Sequence, residues 1–189
     1  LVLSRVKAIK SPPEDVPEGY LAAMGRNERT IEQTMEVLPK GTRRLAAQLR
    51  TSATFDALWT ILTTYDQLSN FIPNLSSSKL LSRQANRVEL RQVGSQVFLG
   101  FTFTAEVLLE LFEEKDKGLL KFNLIEGDFR RFEGSWLITP SQNKCDTSLV
   151  YELTVQGALG MPVGLIENRL RQDLANNLLA VERAALGTA

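Results

Sequence analysis

Apolar positions change period along the chain. Between residues 53 and 65, Phe55, Leu58, Trp59 and Leu62 stand at i, i+3, i+4 and i+7, the spacing of one helix face. Thr51-Ser52 just before them offer a cap for the first free amides. A second short helical piece over 66–71 is expected to stop at Pro73-Asn74, because a proline pushes the residue before it out of helical geometry. After that the period drops to two. Val88, Leu90 and Gln92 share one face of a strand over 87–97, and Gly94-Ser95 inside it suggest a bulge. Ala105, Val107, Leu109 and Leu111 follow Phe103 on one face of 102–113, with Leu108 and Phe112 on the other. Further strands are expected over 42–50, 77–83, 119–126, 131–139 and 149–155. Phe132, Gly134, Trp136 and Ile138 share a face of the next-to-last, and Leu149, Tyr151, Leu153 and Val155 share one of the last. Short polar turns between strands imply an antiparallel meander, since parallel neighbours need long crossovers.

The period returns to four at the end. Ile166, Leu170, Leu174, Leu178, Val181 and Ala185 form one apolar stripe, which predicts a helix of about 24 residues, about 36 Å long. Met161-Pro162 open it and Gly187 is placed to stop it, with Glu167, Arg171 and Asn176 on the opposite face. Residues 1–40 differ. They hold four of the seven prolines, with charges of both signs and no period. They read as an extended or partly disordered arm, with a short helix over 29–37 as the one element suggested. The domain is expected over 41–187. A curved sheet must bury one face, and the long helix carries the stripe to cover it. Such an arrangement leaves room for an apolar ligand between the two layers.

Charge and composition narrow the chemistry. Lys and Arg total 22 and Asp and Glu total 22 of the 189 residues, so no basic excess marks a nucleic-acid partner. There is no histidine and one cysteine. That excludes His-based triads, His ligands, an internal disulfide and multi-Cys metal sites. No apolar run approaches the roughly 20 residues of a membrane span. The first residue is Leu, so the chain reads as a fragment or a processed product. Cytoplasm is the expected location, plastid stroma the alternative. Cys145, in a polar loop without a nearby base, reads as incidental.

Two stretches carry a resemblance. Residues 53–75, with Phe55, Trp59, Tyr65 and Phe71-Ile72-Pro73-Asn74, resemble the first helical pair of START-like proteins. The run from Ile125 to Trp136, with Gly127, Phe129, Phe132, Gly134 and Trp136, resembles the G-x-F-x-x-F/L-x-G-x-W stretch of the coenzyme Q-binding and polyketide cyclase/dehydrase branch of the SRPBCC superfamily. Gln92-Val93-Gly94 and the final helix also fit, so the likeness spans about residues 42–186. It is most similar to cyanobacterial and plastid members. The resemblance implies an α+β helix-grip fold, in which a curved seven-stranded antiparallel sheet wraps the C-terminal helix. It also implies a cavity between them with the two short helices at its mouth. Members bind lipids, quinones, polyketides or hormones there, and fold alone does not separate carriers from enzymes.

On this reading the cavity wall takes Trp59, Phe71, Leu90, Gln92, Phe103, Val107, Phe122, Phe132, Trp136, Tyr151, Ile166, Leu170 and Leu174, and the mouth Pro73 and Arg130. Each aromatic reads equally as plain core. Gln92 and Tyr151 are the inward polar groups, and Gly134 would leave room for a ligand or the helix. Glu126, Asp128, Arg130, Arg131 and Glu133 read as a solvated face. Leu108 and Phe112 would lie under the arm or form a contact patch. No cofactor, metal or catalytic set is expected. The leading expectation is a carrier of an isoprenoid quinone, lipid or similar hydrophobic molecule, with transient contact to a membrane surface or protein complex. The alternatives are a polyketide cyclase/dehydratase-like enzyme and an assembly factor.

Overall fold

The computed structural model describes residues 31–98, 101–141, 146–158 and 163–187. Eight strands appear: β1 (Glu32–Val37), β2 (Arg43–Thr51), β3 (Leu75–Gln84), β4 (Arg87–Phe98), β5 (Phe101–Glu114), β6 (Leu119–Gly127), β7 (Phe129–Pro140) and β8 (Thr147–Gly157). They form one antiparallel sheet in the order β1-β2-β8-β7-β6-β5-β4-β3. Helix α1 (Phe55–Thr63) and a 3-10 helix at Tyr65–Asn70 follow β2, and the long helix α2 (Val163–Ala185) closes the chain. This is the expected α+β helix-grip arrangement, with eight strands instead of seven.

The extra strand is β1. Its residues fall where a short helix was suggested, but they pair antiparallel with β2, Met35 opposite Leu45. The segment has no helical period to bury, and β2 presents an open edge for it to pair with. Met35 packs against the core while Val37 stays exposed. Met161-Pro162, Cys145 and most of the 1–40 arm lie outside the described residues.

Helix α1 is capped by Thr54, whose hydroxyl accepts from the amide of Ala57 at 3.2 Å. Of the expected pair, Thr51 holds the turn instead, accepting from Ala53 N at 3.1 Å. The irregularity expected at Gly94 belongs to its partner. β4 pairs with β5 without a break through Gly94, while β3 shifts register between Leu75 and Ser77 and again between Leu80 and Ser82. The second shift lies beside Leu80, whose amide donates to the Asp66 carboxylate at 2.8 Å.

The sheet curls around α2. Leu174, Leu178 and Val181 pack against Leu45, Leu49, Leu149 and Val155 in one core. Alternation in the strands and the four-residue step in the helix put these side chains face to face, and apolar burial of this kind supplies most of the stability. Glu167 was expected to face away. It turns instead to β2, where its carboxylate meets the Arg43 guanidinium at 2.5 Å, and both side chains are largely buried. Gly187, in left-handed geometry (φ 68°), ends the helix, its amide donating to Ala184 O at 3.2 Å.

Candidate functional site

Between the sheet and the first half of α2 lies a cavity of about 230 Å³. Its floor is the concave face of the sheet: Leu90 and Gln92 from β4, Leu109 and Leu111 from β5, Leu120 and Phe122 from β6, Phe132 and Trp136 from β7, and Tyr151 and Leu153 from β8. The helix supplies Leu170, Asp173, Leu174 and Asn177, and α1 with the segment after it adds Leu62, Tyr65 and Leu68. At the mouth stand Ile72, Pro73 and Asn74. A cavity of about 150 Å³ already accepts benzene, and drug-sized ligands occupy roughly 300–1,000 Å³. This one therefore has room for a small ring system or a short chain segment.

Aromatic rings line one end. Trp136 and Tyr151 are register partners on β7 and β8 and stack with centroids 4.0 Å apart and planes 2° from parallel. Phe122 meets Phe132 at 5.8 Å and Tyr151 at 6.3 Å. Gly134 lies opposite Phe122 across the β6–β7 ladder. The room above it is taken by the Phe122 ring, not by a ligand or the helix: a Cβ there would stand 2.7 Å from Phe122 Cζ and 2.0 Å from Glu152 O.

Polar groups gather toward the helix and mouth. Gln92 Nε2 donates to Ser78 Oγ at 3.2 Å. Asn74, in left-handed geometry, donates through Nδ2 to Asp173 Oδ1 at 3.0 Å, tying the mouth loop to α2. Asn177 Oδ1 is buried with no hydrogen-bond partner among the described residues. Burial, and secondarily the Asp173 carboxylate, push the Tyr151 phenol well above its ordinary range. Tyr65 is raised too, chiefly by burial, then by its 2.6 Å hydrogen bond to Glu113 and that carboxylate's charge, while Arg83 opposes the shift. Arg83 also lies 5.5 Å over the Tyr65 ring and pairs with Glu113 at 3.0 Å, fixing the 3-10 helix to β3 and β5.

Both phenols keep their protons longer folded than unfolded. The stability this contributes is complete below the ordinary phenol value near 10 and is lost as pH rises above it. Unfolding free energies from urea titrations between pH 8 and 11 should therefore fall above about pH 10, by up to about 1.4 kcal/mol per pH unit for each phenol. In Tyr151→Phe the fall should be shallower. An equal slope in both proteins would contradict the burial of that hydroxyl.

Of the residues assigned from sequence, Leu90, Gln92, Phe122, Phe132, Trp136, Tyr151, Leu170, Leu174 and Pro73 line the cavity. Four do not. Trp59 points along α1 to stack on Phe55 (6.2 Å), because Leu58 and Leu62 take the inward face. Phe71 packs at the core's margin, just past the 3-10 helix. Val107 is buried in the core next to the β5–β6 register shift at Leu108–Leu109. Arg130 is exposed on β7, where pairing with β8 shifts between Phe129 and Arg131, so it does not reach the mouth. The side chains of Phe103 and Ile166 lie outside the described residues. Around Arg130 the charges are surface pairs, Arg131 with Glu133 at 2.5 Å and Arg91 with Glu106 at 2.9 Å. Asp128 also accepts from the amide of Glu106 at 2.7 Å. Leu108 and Phe112 are half-buried on the convex side. Asp173, Asn177 and Asn74 were missed. The first two stand three residues after Leu170 and Leu174, on the flank of the same stripe, and that spacing was the available signal.

Residues 51–182 match the family described as polyketide cyclase / dehydrase and lipid transport. The chain belongs to that family. Solved structures with this fold include a protein from Thermus thermophilus, 21% identical with a TM-score of 0.66, the match covering 77% of this chain and 99% of that one. A STAR-related lipid transfer protein fragment from Xanthomonas axonopodis is 14% identical with a TM-score of 0.70, covering 82% and 93%. The Zhui aromatase/cyclase from a Streptomyces species is 16% identical with a TM-score of 0.58, covering 77% and 92%. No curated protein sequence matches this family member. Among its described residues, no helix is long and apolar enough to cross a membrane.

Proposed function

We propose that the protein is a carrier that holds one hydrophobic small molecule between sheet and helix and delivers it elsewhere. The supporting observation is the cavity itself: about 230 Å³, walled mainly by Leu and aromatic side chains, with a few polar groups, Gln92 and Tyr151 on the sheet and Asp173, Asn177 and Asn74 at the helix and mouth. That lining favours an apolar ring or chain whose polar end faces the helix. Isoprenoid quinones and lipids are the cargo classes in view. The volume holds their ring or a chain segment, with any long tail leaving past Pro73. Leu90, Phe122, Phe132, Trp136, Leu170 and Leu174 would hold the body of the cargo, and Gln92 and Tyr151 its polar edge.

Native mass spectrometry of gently purified protein, with organic extraction of what it releases, tests the reading. A stoichiometric hydrophobic molecule is the expected result. Protein that emerges empty and takes up no quinone or lipid on titration would refute it.

A second reading has one observation in its favour. Asp173 and the phenol of Tyr151 face the same space, a carboxylate able to take a proton and a hydroxyl able to donate to a carbonyl. That pair suits the aldol-type ring closure of a polyketone. Asp173→Asn would then abolish turnover of a poly-β-ketone substrate while leaving its binding intact.

A further inference from the structure

The polar side chains of the cavity are not a random set. No Lys or Arg lines it among the described residues. Of the three side-chain amides that do, Asn74 and Gln92 each already spend a donor, on Asp173 and on Ser78, and Asn177 is the third. From α2, two acceptor groups border the space. Asp173 and Asn177 stand four residues apart, one turn along the same face, the first a carboxylate and the second holding a buried Oδ1 without a donor among the described residues. A buried acceptor left unmet is costly, so a site of this kind favours a guest that supplies the missing proton. Tyr151 lines the same space from the sheet and keeps its hydroxyl protonated, so it adds no anion to the site.

From this arrangement we infer that the cavity selects a neutral, hydroxyl-bearing ring, whose O–H donates to Asn177 Oδ1 or Asp173 on α2 and whose ring packs among Phe122, Phe132 and Trp136. The inference rests on the carrier reading and specifies its cargo. Phenols, hydroquinones and alcohols of one or two rings fit. Fatty acids and phosphate-headed lipids do not, because their anionic ends would meet a carboxylate and no lining cation. The oxidised form of a quinone presents only acceptors, which suit the Tyr151 hydroxyl but not α2, whereas the reduced form presents the donor that Asn177 Oδ1 lacks.

Three probes of one size separate the outcomes: 2-naphthol, naphthalene and 2-naphthoate, titrated into the full chain and followed by tryptophan fluorescence and calorimetry. 2-Naphthol should bind at least about tenfold more tightly than naphthalene, the usual effect of a hydrogen bond to a buried or charged acceptor, and 2-naphthoate should bind most weakly. Asn177→Leu should narrow the naphthol preference. Asp173→Asn, which keeps the oxygen that receives Asn74 but removes the charge, should raise naphthoate affinity. Equal binding of naphthol and naphthalene, or naphthoate bound as tightly as naphthol, would overturn the inference while leaving the carrier reading in place. Failure of all three probes to bind, together with an empty protein in the extraction experiment, would overturn both.

Discussion

Gly134→Val should cost about 3 kcal/mol or more of folding stability, the upper range for forcing atoms into a packed interior, and should be the most damaging single change near the cavity. The added carbon would meet backbone, not a flexible chain end: Glu152 O would lie 2.0 Å away and Phe122 Cζ 2.7 Å away. Relief requires either β8 to move off β7 or the Phe122 ring to leave its place against Phe132 and Tyr151. Urea unfolding measures the loss, and near-ultraviolet circular dichroism should show the stacked Trp136–Tyr151 pair disturbed. An unchanged midpoint would mean that the β7–β8 register differs from the one described.

Leu178→Ala should cost about 3 kcal/mol, within the range found when a buried leucine is cut back and a cavity remains. Leu178 is fully buried at the centre of the helix–sheet contact. The same change at Leu170, two turns earlier, should cost about half as much. That side chain is only half-buried and borders space that already exists, so fewer packing contacts are lost. The pair of variants thus tests where the solid core ends and the cavity begins. Equal losses would place Leu170 inside the core and shrink the cavity.

The contrast between those two leucines also explains what the sequence reveals of this molecule. Strong periods bury one face and nothing else, so α2 with its step of four, and β5 and β8 with their alternation, are readable from the chain. β1 is not, because only Met35 of its six residues packs inward, and the strand exists through pairing with residues about ten positions away. Trp59 misleads because α1 has two apolar flanks, and spacing cannot say which one meets the sheet. Gly134 misleads because the ring that fills its space comes from Phe122 on another strand. Asp173 and Asn177 escape notice because polar residues beside an apolar stripe look like its solvent border until a cavity is found next to them.

Among the described residues, the order of the strands leaves β1 and β3 at the two ends of an open sheet. An open end is a row of amides and carbonyls on which a second molecule can lengthen the sheet, and unguarded ends are where β proteins aggregate. Each end here resists that in its own way. β1 is six residues long and carries Glu32 and Glu36. β3 breaks register twice, carries Lys79 and Arg83, and spends the Leu80 amide on Asp66. Neither end offers a neighbour a long straight run to copy. The fold can thus stay curled around its helix, with a mouth left between loop and helix, without sealing itself into a barrel to protect its edges.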